Sequence, residues 1–282
     1  MNFCTLLDSS YLLKGLAVYR SLRTHAPSAK LYVLALDGAV ASAFDRLENA
    51  YVVPLSFLER GVPELLSIKQ ERTPQEMAWT LASVFTWKCL QSIQNLYGEE
   101  HLAYLDADTF FFDNPCKVYE HYTQFSVALT PHRFAEKDKH REKTNGFYNV
   151  NWVQVNRYGL PFLEEWANSA MAWCYNRNDG GLFGDQGILN TLGPKYRAVD
   201  ITEVGINVAP WNQLQYNYEL RDGKILVSGE PLVLFHFHEL LHNKHRVVTR
   251  RTNWQLHSFV SEHIYPIYEK ALAEAEHELL AR

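Results

Sequence analysis

Apolar and polar positions along the chain alternate between two rhythms. Short apolar-dense runs at residues 3–7, 31–36 and 51–54 predict strands. Between them, residues 11–24 (Leu12, Leu16, Tyr19, Leu22) and 41–49 repeat with helical spacing. A longer helical pattern covers 74–96 and is followed by a strand at 102–105. Beyond it, 125–130, 152–155 and 232–237 predict strands, 162–175 and 185–191 predict helices, and 258–281 predicts an amphipathic helix. The tail's Glu274, Glu276 and Glu278 argue against a membrane-surface role. Strands interleaved with helices predict an α/β fold, a mostly parallel central sheet flanked by helices in the Rossmann-like manner. No repeat, linker or low-complexity tract interrupts residues 1–282, so a single domain is expected. In such sheets ligands gather at the carboxyl ends of the strands.

Composition narrows the class. Hydrophobic residues at 47% and charged residues at 21% support a substantial core. A net charge of -5 argues against a general nucleic-acid binder. Cys4, Cys89, Cys116 and Cys174 are far apart and form no CxxC pair, the pattern of free thiols in a reducing compartment. The start has no basic segment or cleavage site, and no apolar stretch reaches membrane-spanning length, so a cytoplasmic protein is expected.

The chemistry concentrates where apolar runs stop. In LAYLDADTFFFD, Asp106 and Asp108 end the fourth strand. Unpaired carboxylates in a strand interior cost several kcal/mol each. At its carboxyl end, two on one face can grip a hard cation, although an Asp-rich turn has the same composition. In LVLFHFHE, His236 and His238 share a face in the same way, as metal ligands or as rim histidines bonded to backbone. A mixed Asp/His set suits manganese better than magnesium. In FGDQGILN, Asp185 and Gln186 suit hydroxyl recognition, or Asp185 caps a helix. Asn149 and Asn151 alternate on a strand and either bind hydroxyls or satisfy a turn. Basic residues cluster at 132–143 and 244–251, and the second cluster, with Lys244, Arg246, Arg250 and Arg251, is suited to a diphosphate. Arg72 and Lys88 are single candidates. Thr5 and Asp8 lie where the first strand turns into a helix. No GxGxxG, Walker or Gly-x-Ser-x-Gly sequence occurs, which removes the usual support for dinucleotide oxidoreductases, P-loop enzymes and serine hydrolases.

Taken in order, FCTLLDSSYLLKGLAVYRSL, YLDADTFFF, FYNVNWVQVN, FGDQGILN, VAPWN and LFHFHEL make the chain resemble the family 8-like, GT-A-type nucleotide-diphospho-sugar transferases of bacteria, over residues 3–241. The resemblance implies a nucleotide-binding part at about 1–115, an acceptor-side part at about 116–257 and a C-terminal helix at about 258–281. It implies a divalent metal, Mn2+ or else Mg2+, on Asp106, Asp108 and His236, with His238 as the alternative. It places Thr5, Asp8, Tyr11, Arg72, Asp106, Ala107 and Lys244 around the nucleotide-sugar, a UDP-sugar. Asn149, Asp185 and Gln186 then face the donor sugar and a glycan or other hydroxyl acceptor, and the likeness favours retention at the anomeric carbon. Two departures stand out: Asn151 where that family has Gly, and HFHELLHNK where it has His-x-x-Gly-x-x-Lys-Pro-Trp. Among the tryptophans, Trp211 is the one suited to stack on a sugar. A nucleotide-sugar hydrolase, a nucleotidyltransferase and a non-catalytic nucleotide-binding scaffold are the competing classes.

Overall fold

The structure, a computed structural model, describes residues 1–243 and 248–280. The first half alternates as expected: β1 (Asn2–Leu7), α1 (Leu12–His25), β2 (Lys30–Ala35), α2 (Gly38–Phe44), β3 (Ala50–Pro54), α3 (Leu55–Gly61), α4 (Leu65–Glu71), α5 (Pro74–Tyr97) and β4 (His101–Leu105). After it come β5 (Thr109–Phe111), α6 (Cys116–Tyr122), β6 (Val127–Pro131), α7 (Glu142–Asn145), β7 (Tyr148–Asn156), α8 (Leu160–Ala172) and α9 (Gln186–Lys195). The remainder is mostly short strands: β8 (Val199–Asp200), β9 (Ile206–Val208), β10 (Tyr218–Arg221), β11 (Lys224–Val227), β12 (Glu230–Pro231), β13 (Leu234–His236), β14 (Leu241–His242) and β15 (Val248–Arg250). A π-helical turn at Val260–Ile264 leads into α10 (Tyr265–Leu280). Among the described residues no helix is long and apolar enough to cross a membrane.

The central sheet has seven strands in the order β3-β2-β1-β4-β7-β6-β8. β1 runs parallel to both β2 and β4, and β7 is antiparallel to β4 and β6. The strand order therefore reverses between β1 and β4, the switch point at which open α/β sheets form a ligand crevice. Alternating side chains separate two cores. Phe3, Leu7, Leu105 and Trp152 belong to the core that also holds α1 and α10, whereas Cys4, Leu6, Leu102 and Val153 belong to the one that holds α5 and α8.

Local chemistry sets the ends. Helix α5 begins in a capping box, with Thr73 accepting from Glu76 N–H and Glu76 accepting from Thr73 N–H, and Pro74 at its first position. It stops at Gly98, whose φ of 68° is the left-handed conformation glycine adopts freely. Three expectations shift. The helix expected at 41–49 forms earlier, at Gly38–Phe44, because Asp37 accepts from Val40 N–H and caps it there, while Arg46 and Asn49 take left-handed backbone. The strand expected at 152–155 extends back to Tyr148. The strand expected at 232–237 lies outside the central sheet. As β13 it forms a three-stranded sheet between β5 and β9.

Candidate functional site

That small sheet assembles the chemistry. β4 ends at Leu105, the chain turns through Asp106-Ala107-Asp108, and β5 returns antiparallel to β13 with His236 opposite Thr109. Phe237 N–H donates to the Asp108 carbonyl at 2.8 Å, which pins the register. The His236 ring then meets both acids, Nε2 lying 3.1 Å from Asp108 Oδ1 and 3.8 Å from Asp106 Oδ2. His236 Nδ1 and Asn149 Oδ1 are 3.3 Å apart. With the amide oxygen as acceptor Nδ1 carries a proton, and Nε2 carries one as well where it donates to the Asp108 carboxylate. Tyr104, two residues before Asp106 on the same face, donates its hydroxyl to Asp106 Oδ1 at 3.2 Å. Lys14 of α1 approaches Asp108 Oδ2 at 3.9 Å. Trp211 stands edge-on to His236 and His238, with ring centroids 5.3 and 5.5 Å away. One ligand atom from each of Asp108, His236 and His238 falls within 4.8 Å of the others.

These groups share a strained electrostatic environment. Burial, only partly countered by His236, pushes Asp106 up to about 7. Asp108 is the more deeply buried of the two, yet the His236 charge and hydrogen bond, with Lys14, hold it well below the usual carboxylate range. Against the lowering effect of burial, Asp108 raises His236. Two acids, one of them raised by its surroundings, beside two imidazoles are a donor set matched to a divalent cation. The residues fit such an ion.

The cluster forms part of the wall of a cleft of about 1080 Å³ at the switch point. Asp8, Tyr11, Arg72, Asp106, Ala107, Asp108, Asn149, Asp185, Gln186, His236 and His238 all line it. Asp8 Oδ1 accepts from Ser10 and Tyr11 N–H and so shapes the β1–α1 turn. The Tyr11 phenol is pushed up by Asp108, then by burial, then by Asp106, which places it in the same field. Asp185 does not cap α9 through its side chain. The residue is 4% exposed, Oδ2 has no partner, and burial followed by Asp106 holds its pKa well above the usual carboxylate range. Gln186 Nε2 donates to the Asn145 carbonyl.

Other candidates are placed differently. Thr5 is fully buried within β1 and is not part of the cleft wall, which begins at Leu6 on that strand. Arg72 lines the cleft, but its guanidinium donates to the Ala170 and Met171 carbonyls at 2.8 and 2.6 Å, at the end of α8, and to Thr80. Asn151 is buried against Asn207, with Nδ2 donating to its Oδ1 at 2.9 Å, away from the cleft. Arg251 is committed to Glu269 at 2.7 Å. Lys88 sits 3.6 Å over the Trp87 ring and takes no part in the cleft wall. Lys244 and Arg246 lie outside the described residues. Trp211 is largely buried, donates Nε1–H to the His132 carbonyl at 2.9 Å, and supports the histidines more than it offers an open face. Lys14 and Tyr104 are additions to the expected set. Each had a signal, a lysine amid Leu12, Leu13 and Leu16, and a tyrosine at i−2 from Asp106 on one strand face.

No family model matches the sequence. Among curated proteins, the uncharacterized protein YfnF of Bacillus subtilis strain 168 is 28% identical over 268 residues, covering 90% of this chain and 85% of YfnF. YfnD of the same strain is 25% identical over 241 residues, covering 84% of this chain and 76% of YfnD. Among solved structures, the galactosyltransferase LgtC in complex with donor and acceptor sugar analogs aligns with a TM-score of 0.57 and 14% identity, over 97% of this chain and 96% of that one. The glycosyltransferase GlyE of Streptococcus pneumoniae TIGR4 aligns with a TM-score of 0.52 and 14% identity, over 98% of this chain and 63% of GlyE. The chain has the GT-A glycosyltransferase fold.

Proposed function

We propose that this protein is a metal-dependent glycosyltransferase that moves a sugar from a nucleotide-diphosphate donor, a UDP-sugar, to a hydroxyl of a glycan or surface-polysaccharide precursor. The observation that carries the reading is the convergence of Asp106, Asp108, His236 and His238 on a cleft of about 1080 Å³ at the switch point of a GT-A sheet. That volume accommodates a nucleotide together with a sugar. The four free thiols support a cytoplasmic setting. That one seven-stranded sheet takes strands from both sides of residue 115 supports treating 1–282 as one catalytic unit.

Asp106, Asp108 and His236 would hold the cation, with His238 closing the set. Bound there, the cation would supply Lewis-acid stabilisation of the diphosphate leaving group. Asn149 fixes the His236 tautomer through Nδ1, leaving Nε2 for the shared centre. Tyr104 steadies Asp106 in the same way. Asp8 and Tyr11, at the mouth of the β1–α1 turn, would receive base and ribose. Asp185 and Gln186 would hold sugar hydroxyls, since the buried Asp185 Oδ2 lacks a hydrogen-bond partner and a hydroxyl can serve it as donor or acceptor. Retention would follow front-face attack by the acceptor hydroxyl, its proton passing to the departing phosphate. Calorimetry with a panel of nucleotide-sugars, with and without manganese, tests the reading. Metal-dependent binding of one donor, followed by transfer to a glycan, is the expected result. Binding that ignores metal, or release of free sugar or a new diphosphate with no glycosidic bond, contradicts it.

A further inference from the structure

The cleft wall carries three cationic side chains among the described residues besides its histidines, namely Lys69, Arg72 and Arg141. Two are occupied. Lys69 Nζ is 3.0 Å from Glu59 Oε1, and Arg72 holds the end of α8. Arg141 differs. Its guanidinium lies over the Trp254 ring, 4.7 Å from the centroid. Its nearest acid, Asp138, is 3.5 Å away at Nε without forming a hydrogen bond, and Nε has no other partner. The side chain as a whole is 43% exposed, so its outer nitrogens remain available.

The surroundings fix what those nitrogens can meet. Trp254 packs against the cluster of Phe134, Ala209 and Trp211, and Phe134, Trp211 and Trp254 all line the cleft. Phe134 and Trp211 are buried and brace Trp254, whose partly exposed indole beside the cleft suits the apolar face of a pyranose. A guanidinium seated on an indole presents its remaining N–H groups in a fixed plane, the geometry that takes two oxygens of a carboxylate or phosphate at once. We propose that Arg141 and Trp254 form an acceptor subsite that selects a saccharide bearing an anionic group. The proposal rests on the glycosyltransferase reading and adds the class of acceptor.

The test uses the full chain with manganese and uridine diphosphate, and measures binding of three probes by calorimetry: a methyl glucoside, a methyl glucuronide and a 6-phosphorylated methyl glucoside. At least one anionic probe is expected to bind about tenfold more tightly than the neutral one, as charge-assisted hydrogen bonds predict. Which of the two gains more separates a uronic acid from a phosphorylated sugar. Arg141→Gln is expected to erase the preference and Arg141→Lys to keep part of it, with melting temperature and uridine diphosphate affinity unchanged. Equal binding of all three probes, or binding of none, overturns the proposal. So does a loss of uridine diphosphate affinity in Arg141→Gln, which assigns the arginine to the donor. Absence of metal-dependent nucleotide binding in the unaltered protein is a separate result, and it counts against the glycosyltransferase reading itself.

Discussion

Asp108→Asn is expected to remove metal-dependent nucleotide binding and to lower sugar transfer by about 10²–10³-fold, the usual effect of losing one preorganised charge at a reacting centre. Asp108 is the acid that stays ionised, because His236 at 3.1 Å and Lys14 at 3.9 Å both favour its charge. The amide keeps the shape and removes that charge. Lys14, itself buried and already lowered by burial, then shifts towards the neutral amine instead of remaining an unpaired interior cation. The fold should therefore survive while the site fails. Bound-metal content by elemental analysis, with turnover and a melting curve on the same sample, checks all three parts. A variant that kept metal-dependent binding would remove Asp108 from the proposed metal site.

Phe237→Ala differs in costing the fold as well, with a large loss of stability of about 3–5 kcal/mol from truncating a buried aromatic. Phe237 is fully buried and stacks on Tyr268 with centroids 3.8 Å apart and planes 12° from parallel. It also meets Phe235 at 4.5 Å and Tyr265 at 5.1 Å. The cavity would open beneath the strand end that carries His236 and His238, so site and core should weaken together. Chemical denaturation measures the first effect and metal affinity the second. A midpoint within about 1 kcal/mol of the unaltered protein would show that this aromatic stack repacks without cost.

The contrast shows what the sequence made legible. β1, β2, β3 and β4, together with α1 and α5, were readable because period and punctuation agree: Thr73-Pro74 opens α5 and Gly98 closes it. The Asp pair was readable as polar residues breaking an apolar run. The helices in residues 55–71 were missed because their sequence is mostly exposed, and few of its side chains report burial. β13 was readable as a strand but not as a member of a second sheet. Membership depends on pairing with Thr109–Phe111 and Ile206–Val208, segments with no local mark of each other. For the same reason sequence left His236 and His238 as alternatives where the structure draws both towards Asp108. Arg72 looked like a free cation because nothing local announces that Ala170 and Met171 will turn their carbonyls towards it.

The bond from Phe237 N–H to the Asp108 carbonyl also joins segments far apart along the chain. During synthesis the two aspartates emerge well before the imidazoles that offset them, and closing so long a loop carries an entropic cost that nearby contacts do not. A chain released before β13 would retain most of the central sheet yet carry two adjacent acids with no imidazole partner. The capacity to bind is therefore expected to mature last, after the parallel strands have paired, as non-local pairings generally do. Pulse-labelled hydrogen exchange during refolding would register this as late protection at Phe237 relative to Phe3, and simultaneous protection would show that both sheets form in one step.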